Sequence, residues 1–413
     1  MDGQWQGITR ASDGCTYFFA GSHRGDIGAP FFRYIPGDHE TGKIKLLCND
    51  MSRACGEDSN QVPAQGKVHS DVLEHDGWLY FGTHLSDYTP QGAAAYTGSH
   101  LMAYELATGT LRDLGIVHPN YTNYSGIGLD RSHNRIYFYT TPFHNRPDVD
   151  GPHLHRIDLA TGNNEDLGLI APWYIRSNDD PRALEECDHK HGQACEHLHV
   201  DSRGDCWFTL RHGGEQEDGL FVARAETGRI ERHPEALPNG MTHWCTLTPL
   251  DEDRALILFP DGFWIFDSRR FDGTPSAFEQ IKPVSALGLR WARLAVAGNR
   301  FYWAHRKDQE RNQLEHPVMH LFSASFSAPD ITVEHGPIRD EAGRVPRSVA
   351  DIAAMPEGHL HFVGRWHVLP EEFDSVGVDR HGNIVAPFFT VLDVSADLPH
   401  TSTGAAADQA TVS

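Results

Sequence analysis

The sequence predicts an all-β chain wound into one seven-bladed β-propeller, and three observations lead there. Six short apolar runs each stop on a polar residue at the same point: Leu79 to His84, Ile136 to Thr141, Cys206 to Arg211, Leu256 to Asp261, Arg300 to His305 and Leu360 to Arg365. They recur at intervals of roughly 45 to 70 residues, the period of a propeller blade. Hairpin-turn signals precede apolar runs, as at Asp13-Gly14, Asp76-Gly77, His133-Asn134 and Arg203-Gly204. Finally, Tyr104 to Gly115 and Ile157 to Gly168 are nearly one sequence written twice, each carrying Leu-Ala-Thr-Gly and then Asp-Leu-Gly.

Taken in order, the blades fall near residues 7 to 50, 67 to 116, 124 to 170, 195 to 235, 241 to 285, 290 to 335 and 348 to 370. In each, the polar-ended run reads as the second strand, so His84, Thr141, Arg211, Asp261, His305 and Arg365 are expected around one mouth of the central channel. The stretch Val376 to Val385 either begins an eighth blade or closes the ring with the N-terminal segment; seven blades with closure is the preferred reading. Residues 1 to 397 then form one domain, and the small polar tail from 398 to 413 reads as disordered. Insertions at 85 to 100 and 171 to 195 break the rhythm, and their aromatics Tyr88, Tyr96, Trp173 and Tyr174 suit stacking on sugar rings or anchoring of the loops.

Composition narrows the function. With 35 basic and 57 acidic side chains the formal charge is -22, which disfavours nucleic acid and anionic membrane as partners. A local Arg and His cluster can still hold an anionic substrate, because distant charge is screened within about 10 Å. The start, Met-Asp-Gly-Gln-Trp-Gln, lacks the features of a signal peptide, and no apolar stretch is long enough to span a bilayer. The chain is expected to be soluble and monomeric, with its compartment undecided. Seven cysteines argue against a disulfide framework, although Cys48 and Cys55 are spaced to bridge a loop.

Three constellations carry chemistry. His69 opens the second blade, His84 closes its next strand, and His199 and His243 open later blades, so four imidazoles are expected in one funnel. Between 187 and 199 the chain packs Cys187, His189, His191, Cys195 and His197 into offsets suited to zinc, most simply as a structural staple. Arg156, Arg211, Arg293 and Arg365 offer planar forks for a carboxylate or sulfate. There is no phosphate loop, nucleophile elbow or HExxH motif.

The run Lys67-Val-His-Ser-Asp71, with Gly82-Thr-His84, Ser99-His-Leu-Met-Ala-Tyr-Glu-Leu106 and His153-Leu-His-Arg-Ile-Asp-Leu159, resembles the seven-bladed propeller polysaccharide lyases, above all the ulvan lyases. The resemblance spans residues 65 to 210 best. It implies β-elimination on a uronate-containing, ulvan-like polysaccharide, with His69 and His84 as the histidine pair and Arg156 or Arg211 neutralising the carboxylate. It also implies a structural zinc. The family's tyrosine is expected where this chain has Thr141, so Tyr139 or Tyr124 is expected to replace it. His199, His243, Arg211, Arg365 and Tyr124 are the substrate-binding candidates. An oligogalacturonate lyase, a metal-dependent sugar lactonase and a non-catalytic glycan- or protein-binding propeller are the alternatives.

Overall fold

The computed structural model describes residues 3–37, 42–143, 149–172, 194–211, 218–284, 293–311, 317–340, 343–355, 358–367 and 385–394. They form seven small antiparallel sheets, each built from strands consecutive in sequence, which is the seven-bladed propeller. All six polar-ended runs are second strands. In blade 2 the order is Leu73–His75, Trp78–Gly82, Gly98–Glu105 and Leu111–Pro119. Its first hairpin turns on Asp76-Gly77, where φ is 48° and 78°, the pair of positive angles that a two-residue turn matched to strand twist requires.

The core is a ring of seams, because a blade buries both faces against its neighbours. Tyr17, Phe19, Phe31, Leu79, Phe81 and Tyr104 fill the seam between blades 1 and 2. Tyr80, Leu101, Ile127 and Phe138 fill the next. The seams flanking blade 4 gather Tyr139, Leu198, Trp207, Phe221 and Phe266. The ring shuts where Phe18 of blade 1 stacks on Phe389 of blade 7 at 4.6 Å, beside a 2.7 Å hydrogen bond between Thr16 Oγ1 and His361 Nδ1.

Blade 7 differs from expectation. Val385–Asp393 pairs with His359–His367 as its third strand, so this segment neither starts an eighth blade nor joins the N-terminal sheet. Residues 376 to 384 and the tail from 398 lie outside the described residues. Cys48 and Cys55 are both free thiols, the first donating to the Asp50 carbonyl and the second meeting Met102 Sδ at 3.5 Å. No helix among the described residues is long and apolar enough to cross a membrane.

A repeated clasp ties the outer strands together. His100 in blade 2 and His153 in blade 3 each bring Nδ1 to a fourth-strand carboxylate, Asp113 at 2.9 Å and Asp166 at 3.0 Å. That carboxylate also accepts from Gly115 or Gly168 N–H at 2.8 Å. The duplicated Asp-Leu-Gly in the sequence is therefore the acceptor half of a strand lock. Blade 6 repeats it with His320 and Glu334 at 2.7 Å.

Turn carboxylates brace the hairpins. In blade 4, buried Asp201 accepts from Arg203 N, Asp205 N and Trp207 Nε1 at 3.0, 3.0 and 3.1 Å and pairs with the Arg203 guanidinium. These bonds hold its carboxyl below the usual range against the cost of burial. Replacing it would strand a buried indole N–H and two turn amides. Asp201→Ala is expected to lower unfolding free energy by about 2–4 kcal/mol, measured by denaturant titration.

Candidate functional site

Side chains in the middle of a strand point onto the next blade, whereas those at or just beyond strand ends reach the channel mouth. That distinction sorts the candidates. His69 precedes the inner strand of blade 2 and His84 follows its second strand; their rings lie 4.2 Å apart. Tyr124, ahead of blade 3, covers both, 5.3 Å from each. These three meet as expected.

His84 is fixed at both nitrogens. Nδ1 lies 2.7 Å from the Asn123 carbonyl, an acceptor only, so it carries the proton. Nε2 lies 2.6 Å from the Tyr88 hydroxyl, and in the neutral tautomer it accepts from that hydroxyl. The Lys67 ammonium stands over the Tyr88 ring at 3.6 Å and over Trp5 at 4.9 Å. Trp5 stacks on His69 at 5.7 Å, and Arg365 lies 5.5 Å from Trp5 on its other contacts. His23 and Phe143 complete the aromatic wall around Tyr88.

His69 is buried, and its Nε2 has no hydrogen-bond partner among the described residues. Burial pushes this imidazole well below its usual range, and His84, Lys67, His23 and Arg211 add repulsion in the same direction. It is neutral near pH 7, with one polar atom still to satisfy.

Deeper in the mouth lies a charge cluster drawn from several blades. Arg211 pairs with buried Glu196, which also faces Arg293 at 4.0 Å. His197 bonds Asp71 at 3.0 Å and Thr246 Oγ1 at 3.2 Å. Burial works against both charged forms, yet Arg211 and Arg293 hold Glu196 below the usual carboxylate range, and Asp71 with Glu196 holds His197 above the usual imidazole range. His243, hydrogen-bonded to Thr242 Oγ1 at 2.9 Å, also bears on Glu196. Asp351 of blade 7 is pushed up to about 6 by burial and by Asp71.

Four candidates go elsewhere. Tyr139 is fully buried between blades, one residue short of its strand end, and does not replace the missing tyrosine. Arg156, in mid-strand, donates to Glu165 at 2.7 Å and to the Ala225 carbonyl of blade 4 at 2.6 Å, an inter-blade tie. His199 is buried against Phe266 of blade 5, its ring 5.9 Å away, and His197 takes the mouth position assigned to it. His305 also lies inside a longer strand, opposite His320.

The expected zinc ligands divide. Cys187, His189 and His191 lie outside the described residues. Cys195 is fully buried, its Sγ 3.0 Å from where a Cβ on Gly126 would stand, and burial with Glu196 and Asp71 nearby pushes the thiol well above its usual range. His197 has both nitrogens engaged. Within the described residues, His197 is taken by Asp71 and Thr246, and the zinc expectation otherwise rests on residues outside them.

Several mouth residues gave weak sequence signals. Of the insertion aromatics that suit stacking or loop anchoring, Tyr88 reaches His84, and Tyr96 is buried as an anchor, donating to Gln65 at 2.5 Å. Lys67 and Asp71 flank His69 in one short motif. Asp351 is an acid inside an apolar inner strand, a pattern that marks a channel position. Trp5 lies ahead of every repeat and gave none.

No family model matches the chain, and no curated protein does. Among solved structures, a chain from a structural and mechanistic study of two prolyl endopeptidases aligns with TM-score 0.49 and 11% identity, over 93% of this chain and 49% of that one. This chain thus spans about half the length of that protein. A Bacteroides fragilis protein assigned as a 6-phosphogluconolactonase aligns with TM-score 0.47 and 12% identity, over 92% and 95% of the two chains. Neither likeness bears on activity. The class defined by the seven sheets is the seven-bladed propeller with a polar, histidine-bearing mouth.

A raised carboxyl fixes the sign of one pH effect. Asp351 binds its proton more tightly folded than unfolded, so its contribution is present at low pH and lost as pH rises through about 6. Asp351→Asn is expected to raise Tm at pH 8, with the gain vanishing below about pH 4. Equal Tm differences at both pH values would contradict this charge assignment.

Proposed function

We propose that this propeller is a polysaccharide lyase that cleaves a uronate-containing chain by β-elimination. The observation that carries the reading is the hydrogen bond from Tyr88 to His84 Nε2, with His84 itself held by the Asn123 carbonyl. A phenol oxygen 2.6 Å from an imidazole nitrogen is a pre-formed proton-transfer pair. In this reading Tyr88, supplied by the insertion between the second and third strands of blade 2, is the tyrosine sought at Thr141.

The chemistry follows from the arrangement. Abstraction of the proton at C5 needs the neighbouring carboxylate neutralised, and Lys67, Arg211 and Arg365 surround the histidine pair with positive charge. As the Tyr88 proton moves to His84, its oxygen takes the C5 proton. The bond from C4 to its glycosidic oxygen breaks, and that oxygen receives a proton from the same pair. Lys67 against the ring stabilises negative charge developing on the phenol oxygen. His69 Nε2, buried and without a partner among the described residues, supplies a hydrogen-bonding atom for the substrate. Trp5, Tyr124 and Phe143 supply apolar faces for sugar rings.

The carboxylates of the deeper cluster are engaged by Arg211, Arg293 and His197, which disfavours the metal-dependent lactonase alternative. A polymer substrate and an ulvan-like composition remain part of the proposal and rest on the resemblance in residues 65 to 210.

Absorbance of the 4,5-unsaturated uronate is expected to rise with ulvan, and more weakly or not at all with pectate and glycosaminoglycans. Tyr88→Phe is expected to lower kcat by about 10²-fold or more while KM changes little. No absorbance change on any uronate polymer would sink the lyase reading. Full turnover by Tyr88→Phe would leave the class standing and remove the proton-transfer pair.

A further inference from the structure

The clasp repeated in blades 2 and 3 diverges beside its histidine, and the divergence builds a second site. In blade 2 the His100 ring is closed at both nitrogens by carboxylates, Asp113 at 2.9 Å and Glu57 at 3.1 Å. Despite burial these partners push it up to about 11, so it is filled with protons. Two residues along is Met102, against the Cys55 thiol.

Blade 3 has His155 where blade 2 has Met102, each paired across the bulged strand to the clasp aspartate. His155 Nδ1 lies 3.2 Å from Asn164 Oδ1. The orientation of that amide is set, because Asn164 Nδ2 donates to the Val117 carbonyl at 2.8 Å. His155 must therefore carry its proton on Nδ1 and present an Nε2 lone pair. That atom is 3.0 Å from Nδ1 of His118, which comes from the outer strand of blade 2. An oxygen of Asp166 completes the group, and the three ligand atoms lie within 4.8 Å of one another.

We propose that His118, His155 and Asp166 bind a divalent transition metal of the zinc type in the seam between blades 2 and 3. Two imidazole nitrogens and one carboxylate oxygen are a donor set such ions favour. The Asn164 carbonyl on His155 Nδ1 is the outer contact that orients a ligating imidazole. Asp166 is held by His153 at 3.0 Å and by Gly168 N–H, so its carboxylate is positioned before any ion arrives. Asp166 is 43% exposed, which gives the ion a path from solvent.

Such an ion would fasten two blades just ahead of the active mouth. His118 stacks on Tyr121 at 3.9 Å, and the next residues, Thr122 and Asn123, provide the oxygen atoms beside His84 Nδ1. The site is independent of the lyase reading and differs from the cysteine-rich stretch at 187 to 197.

The test uses the full chain, stripped with a chelator and titrated with Zn2+ alone, with retained metal measured by mass spectrometry after gel filtration. His118→Gln is expected to retain one equivalent less than the wild type, and Asn164→Ala to bind that equivalent about 10- to 100-fold more weakly. Equal stoichiometry in wild type and His118→Gln overturns the proposal. A second measurement needs no variant: Zn2+ is expected to protect His118 and His155 of the wild type from diethyl pyrocarbonate, read by peptide mapping. Carbethoxylation of both residues at an undiminished rate under saturating Zn2+ also overturns it.

Discussion

The buried charge cluster about Glu196 is the constraint on which the mouth depends. Seams of aliphatic and aromatic side chains join each blade only to its neighbours. Glu196, His197 and Arg211 from around blade 4 meet Asp71 ahead of blade 2, Arg293 of blade 6 and Asp351 of blade 7, crossing the channel. Removing Glu196, Arg211, His197 or Asp71 would leave another buried charge uncompensated, a cost that far exceeds that of an exposed ion pair, whereas Asp351 faces Asp71 and its charge opposes the network. The network therefore fixes how blades that never touch are spaced. It also holds Arg211 beside His69, which sets the field at the reacting end.

That arrangement explains why two layers of polar residues share one opening without cancelling. The deeper layer is paired internally, acid to base. The upper layer combines two imidazoles, a phenol and cations with aromatic walls, and in His69 Nε2 it keeps a buried polar atom without a protein partner among the described residues.

Much of this was legible in the chain because strand periodicity and turn residues are local properties. The six polar-ended runs, the Asp76-Gly77 turn and the duplicated Asp-Leu-Gly segments each mark a piece of blade, and the His69 and His84 pairing followed from blade geometry alone. What failed was depth along a strand. Tyr139, Arg156 and His199 have suitable chemistry, but they sit where side chains face a neighbouring blade, and only the tertiary stacking of sheets decides that. Tyr88 was visible as an aromatic in an insertion; that its hydroxyl reaches His84 depends on how residues 85 to 96 fold back over the mouth. The extent of blade 7 was missed, though the count of seven held, because its third strand comes after a long interval and the repeat period gave no guide.

Tyr88 belongs to no blade. The seams and the His–Asp clasps are built from the blades themselves, whereas the hydroxyl beside His84 comes from residues 85 to 97. Descendants of such a scaffold can therefore lose or regain chemistry through one insertion event while remaining the same folded object. Propellers that keep the histidine pair but lack this excursion would be expected to persist as binders, and grafting the excursion onto one of them is a short route from recognition to turnover.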